Sequence, residues 1–136
     1  MLRVVIDSGV LVAALISAKG APRELVRAWI NGAFELLVSP KLVAELHRVL
    51  LRQKFRQYVS EQEVEAYVAF LRRFATECPD TESVPKLTPD PGDDYLLALA
   101  RSQSADFLIS GDPHLCEMKA AEPPILTPRA FLSRLP

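Results

Sequence analysis

The chain has 136 residues, of which 49% are hydrophobic and 24% charged, and its formal net charge is -1. This length suits one domain, residues 1–136, and the hydrophobic fraction is high enough for a core, which excludes an intrinsically disordered chain. The near-neutral charge excludes binding to nucleic acid through a global positive field. An anionic substrate would therefore have to be held by local basic residues or by metal ions.

Nothing in the sequence predicts export, membrane insertion or thiol chemistry. No apolar run reaches membrane-spanning length, and the N-terminus leads directly into a strand, so we predict a cytoplasmic protein. Cys78 and Cys116 do not follow a metal-ligand spacing, and we interpret them as free thiols. His47 and His114 are interpreted as surface or helix-start residues rather than metal ligands.

Predicted strands alternate with helices in the first half of the chain. Residues 2–6 and 34–38 are nearly all apolar, which is typical of strands buried on both faces of a parallel sheet. One helix is predicted over residues 10–16, and another precedes the second strand. Ser39 and the proline after it predict the start of a third helix, and residues 60–63 form a capping box for a fourth.

The same alternation continues in the second half. Residues 78–92 are rich in proline and polar groups and are predicted to be a loop. A helix then runs from Asp90-Pro91 to about residue 104. Residues 106–110 and 124–126 are predicted strands, each followed by a short helix. This order predicts an α/β fold in which helices cover both faces of a parallel sheet.

Four acidic residues are predicted to converge at one edge of that sheet. Asp7 ends the first strand and Asp112 follows a later one, and ligands bind at the carboxyl ends of strands in such sheets. Glu45 and Asp93 lie on or beside the apolar side of their helices. Converging carboxylates repel one another and need a cation, and Mg²⁺ and Mn²⁺ prefer oxygen ligands. Such ions activate water for phosphodiester cleavage, so we predict a divalent-metal site.

The same acids also have a purely structural interpretation. Asp93 and Asp112 lie at predicted helix starts, where capping and the helix dipole favour acids, and Asp7 could cap the helix that follows it. Glu45 could be a solvated surface residue. Asp94 points about a quarter turn away from Asp93 and is the weaker candidate of the two.

Basic residues near the end of the Glu45 helix are candidates for binding substrate phosphates. They are Arg48, Arg52 and Lys54. A solvated helix face explains the same residues without any role in binding.

Five segments, in this order, resemble the PIN-domain family, and more narrowly its branch of toxins from toxin–antitoxin systems. The segments are Val-Ile-Asp-Ser-Gly-Val-Leu-Val at 5–12, Ser-Pro at 39–40 with Glu-Leu at 45–46, Asp-Pro-Gly-Asp-Asp at 90–94 with Leu-Ala-Leu-Ala at 97–100, Asp-Phe-Leu-Ile-Ser-Gly-Asp-Pro-His-Leu at 106–115, and Ile-Leu-Thr-Pro-Arg-Ala-Phe-Leu at 125–132. Each motif is weak alone, but the ordered set is specific.

The resemblance implies a PIN-like three-layer α/β/α sandwich with a central five-stranded parallel sheet. It also implies an Mg²⁺- or Mn²⁺-dependent endoribonuclease, the toxin of a type II toxin–antitoxin pair, with an antitoxin partner and a homodimer. Asp7, Glu45, Asp93 and Asp112 would then be the catalytic metal ligands, with Ser8, Ser110 and Asp94 as supporting residues.

One position departs from the family pattern. The family's Asn after Asp-Thr is Gly9 here, whereas Ser8 keeps a hydroxyl beside the first acid. We expect metal binding to survive, and the alternative is a catalytically weak or inactive PIN-like module that binds RNA or protein. A phosphoryl-transfer enzyme with an aspartyl nucleophile is disfavoured, because no second acid lies two residues after Asp7.

Overall fold

A computed structural model of the chain describes residues 1–81, 91–118 and 121–136, although the side chains of residues 91–93 are not described. Five parallel strands form one sheet in the order β3-β2-β1-β4-β5. The strands are β1 (Arg3–Ile6), β2 (Glu35–Val38), β3 (Thr76–Glu77), β4 (Phe107–Ile109) and β5 (Ile125–Leu126).

Helices occupy most of the remaining described chain. They are α1 (Ser8–Ile16), α2 (Ala21–Ile30), α3 (Pro40–Leu50), α4 (Glu61–Phe74), α5 (Pro91–Ser102), α6 (Pro113–Cys116) and α7 (Pro128–Leu132), with a 3₁₀ turn at Gln53–Phe55. Helix α5 packs against β1 and β4, whereas α1 contacts α2 and α3. The predicted α/β/α sandwich with a five-stranded parallel sheet is confirmed. None of the helices in the described ranges has the length and apolar character needed to span a bilayer.

The centre of the sheet is apolar on both faces. Val4, Val5 and Ile6 of β1 are fully buried, as are Leu108 and Ile109 of the neighbouring β4. Burying such a side chain contributes roughly 1.5–3 kcal/mol. This pattern explains why β1 was predictable as a strand buried on both faces, and it fixes the position of the residue that follows it, Asp7.

The predicted helix starts are largely confirmed. The Ser39 hydroxyl caps α3, Ser60 and Glu63 form the predicted capping box of α4, and Thr127 caps α7. Helix α1 begins at Ser8, two residues earlier than predicted, because the Asp7 side chain caps it.

Strand β3 was not predicted from the sequence. It has only two residues, Thr76 and Glu77, and both are exposed at the edge of the sheet, so it carries no apolar signal. The backbone N–H of Cys78 extends the pairing by donating to the carbonyl of Val38 at 2.7 Å. Of the predicted loop, residues 82–90 lie outside the described chain, including the predicted helix start at Asp90.

The strand order reverses between β1 and β4. From β1 the chain proceeds to β2 and then β3 on one side, and it later returns to β4 and β5 on the other. Ligands of open α/β sheets bind in the crevice beyond the carboxyl ends of the strands at such a switch point. Asp7 and the segment around Asp112 therefore lie where this fold places binding sites.

Candidate active site

Ser110 connects the first and fourth of the predicted acids. Its fully buried hydroxyl donates a hydrogen bond to Asp7 Oδ2 at 2.5 Å and accepts one from the backbone N–H of Asp112 at 3.0 Å. The parallel register pairs Ile6 with Ile109, so the residues that follow β1 and β4 meet at the same edge. The structure thus brings the carboxylate of Asp7 and the backbone of Asp112 to one hydroxyl group.

Both aspartates also cap helices, which confirms the structural interpretation of these residues. Asp7 Oδ1 accepts from the Val10 N–H at 2.9 Å, and Asp112 Oδ1 accepts from the His114 N–H at 2.9 Å. An ionised carboxylate offers about four lone-pair sites, so one capping bond does not exhaust it. Asp112 Oδ2 accepts no hydrogen bond from the described residues. Capping and metal binding are therefore compatible at both positions.

Among the described residues, no cation compensates the charge of Asp7. Burial raises the pKa of the Asp7 carboxyl, the charge of Asp112 raises it further, and hydrogen bonds from Ser110, Val10 and Gly9 oppose the shift. Within the described ranges, no lysine, arginine or histidine forms an ion pair with Asp7 or Asp112. The described donors to the pair are all neutral, which leaves an excess of negative charge among the described residues.

Tyr95 fixes the second predicted acid. Its hydroxyl donates a hydrogen bond to Glu45 Oε2, which links α3 to α5. Burial is the largest cause that raises the pKa of Tyr95. The hydrogen bond to Glu45 and the charges of Glu45, Asp7 and Asp80 raise this pKa further, so the phenol keeps its proton and remains a donor. Tyr95 was not predicted from the sequence to be a site residue. The available signal was that a buried tyrosine needs a partner for its hydroxyl.

The first turn of α5 carries two candidate acids. The side chain of Asp93 is not described, whereas Asp94 is buried, with 5% of its surface exposed. Asp94 was predicted to be the weaker candidate because Asp93 shares a helix face with apolar residues. Residues 94–100 are all buried, so apolar residues are not confined to that face. The apolar face therefore does not distinguish the two residues, and Asp94 is as strong a candidate as Asp93.

The donor set suits a hard cation only in part. Asp7, Asp112 and Ser110 offer oxygen atoms, as Mg²⁺ and Mn²⁺ require. Among the described side chains, however, no three carboxylate, histidine or cysteine groups gather as a metal site. Cys116 is a free thiol, and burial together with the charges of Asp7 and Asp112 raises its pKa, so it stays protonated and is a poor metal ligand.

The structure separates the predicted basic residues. Arg48 lines a cavity of about 340 Å³ together with Glu45, Tyr95 and Lys41, and the Lys41 ammonium lies 4.5 Å from the centre of the Tyr95 ring. Lys41 was not among the basic residues predicted to bind substrate phosphates. The other two predicted residues, Arg52 and Lys54, are exposed at the 3₁₀ turn and make no contact with the acids.

Ser8, the second predicted supporting residue, is the first residue of α1 and is partly buried. Within the part of the chain that the structure describes, its side chain forms no hydrogen bond. The structure thus gives Ser110, but not Ser8, a direct contact with a predicted acid.

The PIN domain family model matches residues 3–114, so this chain belongs to the PIN domain family. The family predicted from the five segments is confirmed. No curated protein matches the chain by sequence.

Solved structures of similar fold come from toxin–antitoxin systems. VapBC2 from Rickettsia felis, bound to a DNA fragment from its promoter, is 11% identical with a TM-score of 0.63 and covers 92% of this chain and 97% of its own. FitAcB from Neisseria gonorrhoeae is 20% identical with a TM-score of 0.56, covering 93% and 98%. Mycobacterium tuberculosis VapC20, a Sarcin-Ricin loop cleaving toxin, is 14% identical with a TM-score of 0.53, covering 77% and 86%. At these identities the likeness concerns the fold.

Proposed function

We propose that this protein is a divalent-metal-dependent endoribonuclease that hydrolyses RNA phosphodiester bonds, and that residues 1–136 form its single domain. The observation that carries the proposal is the uncompensated pair Asp7 and Asp112, joined by Ser110 at the switch point of the sheet. Membership of the PIN domain family supports it, as does the fold shared with VapC20, a toxin that cleaves the Sarcin-Ricin loop.

Asp7, Glu45, Asp112 and an acid in the first turn of α5 would hold an Mg²⁺ or Mn²⁺ ion. When bound, such an ion supplies a Lewis acid and lowers the pKa of a coordinated water. Ser110 orients the carboxylate of Asp7, and Tyr95 orients that of Glu45. Groups that orient ligands in this way contribute strongly to metal affinity.

The RNA backbone would pass the Glu45 side of the site. Arg48 and Lys41 line the cavity beside Glu45, where their charges can bind phosphates next to the acids. Arg52 and Lys54 lie further along the chain and would contact a longer substrate.

We propose that the protein is the cytoplasmic toxin of a type II toxin–antitoxin pair and a homodimer. VapBC2 and FitAcB, which share its fold, support an antitoxin partner. Ile30 and Phe74 are each more than half exposed, and the Phe70 ring lies against Phe74 at 4.8 Å and Trp29 at 5.6 Å. This apolar surface, with Arg73 beside Phe74, suits an antitoxin segment that has apolar and acidic side chains.

The decisive experiment is cleavage of a mixed set of fluorescent RNAs by the purified protein with Mn²⁺, Mg²⁺ or EDTA. Asp93→Asn and Asp94→Asn are assayed side by side, because the structure leaves both residues as candidates. We expect metal-dependent cutting that one of the two variants abolishes. Glu45→Gln should weaken Mn²⁺ binding, whereas Glu61→Gln, an exposed residue of α4, should not. Cutting that persists in EDTA would contradict the proposal.

A binding module without catalysis is the second candidate. Gly9 in place of the family's Asn favours it, as does the lack of a three-ligand cluster among the described side chains. A folded protein that neither cuts RNA nor binds Mn²⁺ would support this alternative, and Mn²⁺ binding without cutting would instead point to an RNA target absent from the set.

A further inference from the structure

A second cavity, of about 480 Å³, opens beside Asp7 and Asp112, and it shares no lining residue with the cavity beside Glu45 and Tyr95. Its remaining walls come from the starts of α1, α2 and α7 and include Ala13, Pro22 and Pro128. The volume falls within the range of about 300–1,000 Å³ that small-ligand sites occupy. The two carboxylates that we assign to the metal therefore also form one wall of a pocket.

We propose that this cavity is the subsite for one nucleobase of the RNA substrate, next to the bond that is cleaved. The proposal rests on the ribonuclease function above, because the shared wall of Asp7 and Asp112 places the pocket beside the scissile phosphate. A nucleotide whose phosphate approaches these acids would have its base within reach of the pocket.

The walls suit the flat, weakly polar face of a base. Val10, Ala13, Pro22 and Pro128 are small or rigid apolar residues, and the described residues place no lysine or histidine in the walls. A base that packs against these apolar walls loses contact with water over the surface that it buries, which favours binding. The cavity near Glu45 contrasts with it, because Lys41 and Arg48 line that cavity and suit phosphates instead.

Gly9 lines the cavity beside the first acid. A Cβ atom at this position would lie 3.3 Å from Asp7 Oδ1, which is a tight contact. The family pattern has Asn at this position. We infer that the exchange of Asn for Gly enlarges the space beside the first acid and so changes which nucleotide the site accepts.

Arg129 completes the pocket at the first turn of α7. Its guanidinium is paired with Glu24 Oε2 at 3.0 Å, and both side chains are more than half exposed. Exposed pairs of this kind contribute little to stability. Arg129 can therefore exchange Glu24 for the phosphate of a bound nucleotide at small cost.

The test is an NMR titration of the metal-free protein in EDTA with AMP, GMP, CMP and UMP, and separately with inorganic phosphate. We expect at least one nucleotide to shift the amide signals of Val10, Ala13 and Gly111. Gly9→Asn and Ala13→Leu both fill the pocket and should weaken that binding by roughly tenfold or more. Ala66→Leu, on the exposed side of α4, is the matched control and should bind as the wild type does.

Three results would overturn the subsite: no shift at these residues with any nucleotide, unchanged binding in both filled variants, or phosphate alone binding as well as the nucleotides. If the protein cleaves RNA but no nucleotide binds in the titration, the proposed subsite is wrong and the proposed ribonuclease function stands. Nucleotide binding in the pocket without metal-dependent cleavage of any RNA would do the reverse, removing the nuclease and keeping a nucleotide site.

Discussion

The central sheet has an amino edge, where its strands begin, and a carboxyl edge, where they end. The carboxylates at these two edges differ in their partners. At the amino edge, Glu35 is paired with the guanidinium of Arg3 at 3.1 Å, between the starts of β1 and β2. At the carboxyl edge, Asp7 and Asp112 receive hydrogen bonds only from hydroxyl and backbone donors of the described chain. Among the described residues, a cation pairs with Glu35 at the amino edge, whereas none pairs with Asp7 or Asp112 at the carboxyl edge.

This difference separates a structural role from a functional one. A buried carboxylate without a cation lowers stability, so a chain selected for stability alone would match it or replace it. The amino edge shows that this fold can supply a partner. We infer that a bound cation takes that place at the carboxyl edge, where no described residue does.

The largest expected effect comes from exchanging one carboxylate at each edge. Asp7→Asn should reduce RNA cleavage by about 100-fold or more, since a catalytic metal contributes several kcal/mol and each 1.36 kcal/mol is a factor of ten. It should also raise Tm in EDTA by roughly a few degrees, because the amide removes an unmatched charge and still caps α1. Cleavage assays and thermal melts of the purified variant measure both effects.

Glu35→Gln is the matched control for Asp7→Asn. It breaks the pair with Arg3, so Tm should fall slightly, while cleavage should stay within about twofold of the wild type. If Asp7→Asn lowered Tm as Glu35→Gln does, the proposed difference between the two edges would be wrong.

Metal addition should sharpen the comparison. Mn²⁺ at about 100 times its Kd stabilises a protein by about 2.7 kcal/mol, so the Tm of the wild type should rise by several degrees. The variants Asp7→Asn and Asp112→Asn should show little of this rise, whereas Glu35→Gln should show all of it. A thermal shift series with Mn²⁺, Mg²⁺ and EDTA decides the point, and equal shifts in all variants would place the ion elsewhere.

A smaller effect is expected from the tyrosine that holds Glu45. Tyr95→Phe removes one hydrogen bond to a proposed ligand and should weaken Mn²⁺ binding by roughly tenfold. Tyr67→Phe is its matched control, because the Tyr67 hydroxyl donates to the carbonyl of Leu11 at 2.8 Å, away from the acids. Calorimetric titration of both variants with Mn²⁺ should show the loss in Tyr95→Phe alone. Equal affinities would limit Tyr95 to packing.

Much of the fold was predictable because its signals are local. The apolar run of β1 and the caps of α3 and α4 are each encoded within a few residues. Strand β3 was not predictable, since two exposed residues gain their pairing only from β2, which is distant in sequence.

Only part of the candidate site was predictable, because only some of its residues are marked by local sequence signals. Asp7 and Asp112 follow strands, so the sheet register determines that they meet. The choice between Asp93 and Asp94 was not predictable, because α5 is buried on every side from residue 94 to residue 100 and periodicity carries no information there. The hydrogen bond from Tyr95 to Glu45 joins residues fifty positions apart, and no local sequence pattern predicts it.

The smallest expected effect is a pH dependence that comes from Asp7. Burial, the largest cause, raises its folded pKa above the ordinary value of 3.8, so between these two pKa values the folded state binds more protons than the unfolded state. Stability contributed by the protonated form is present at low pH and is lost as pH rises through the folded pKa.

The difference in Tm between Asp7→Asn and the wild type in EDTA should therefore be small near pH 4 and should grow toward neutral pH. Melts of both proteins in EDTA from pH 4 to pH 8 measure this difference, and a constant difference would contradict the assignment to Asp7. With saturating Mn²⁺ the order should reverse at neutral pH, because the charge that destabilises the metal-free protein is the charge that binds the ion.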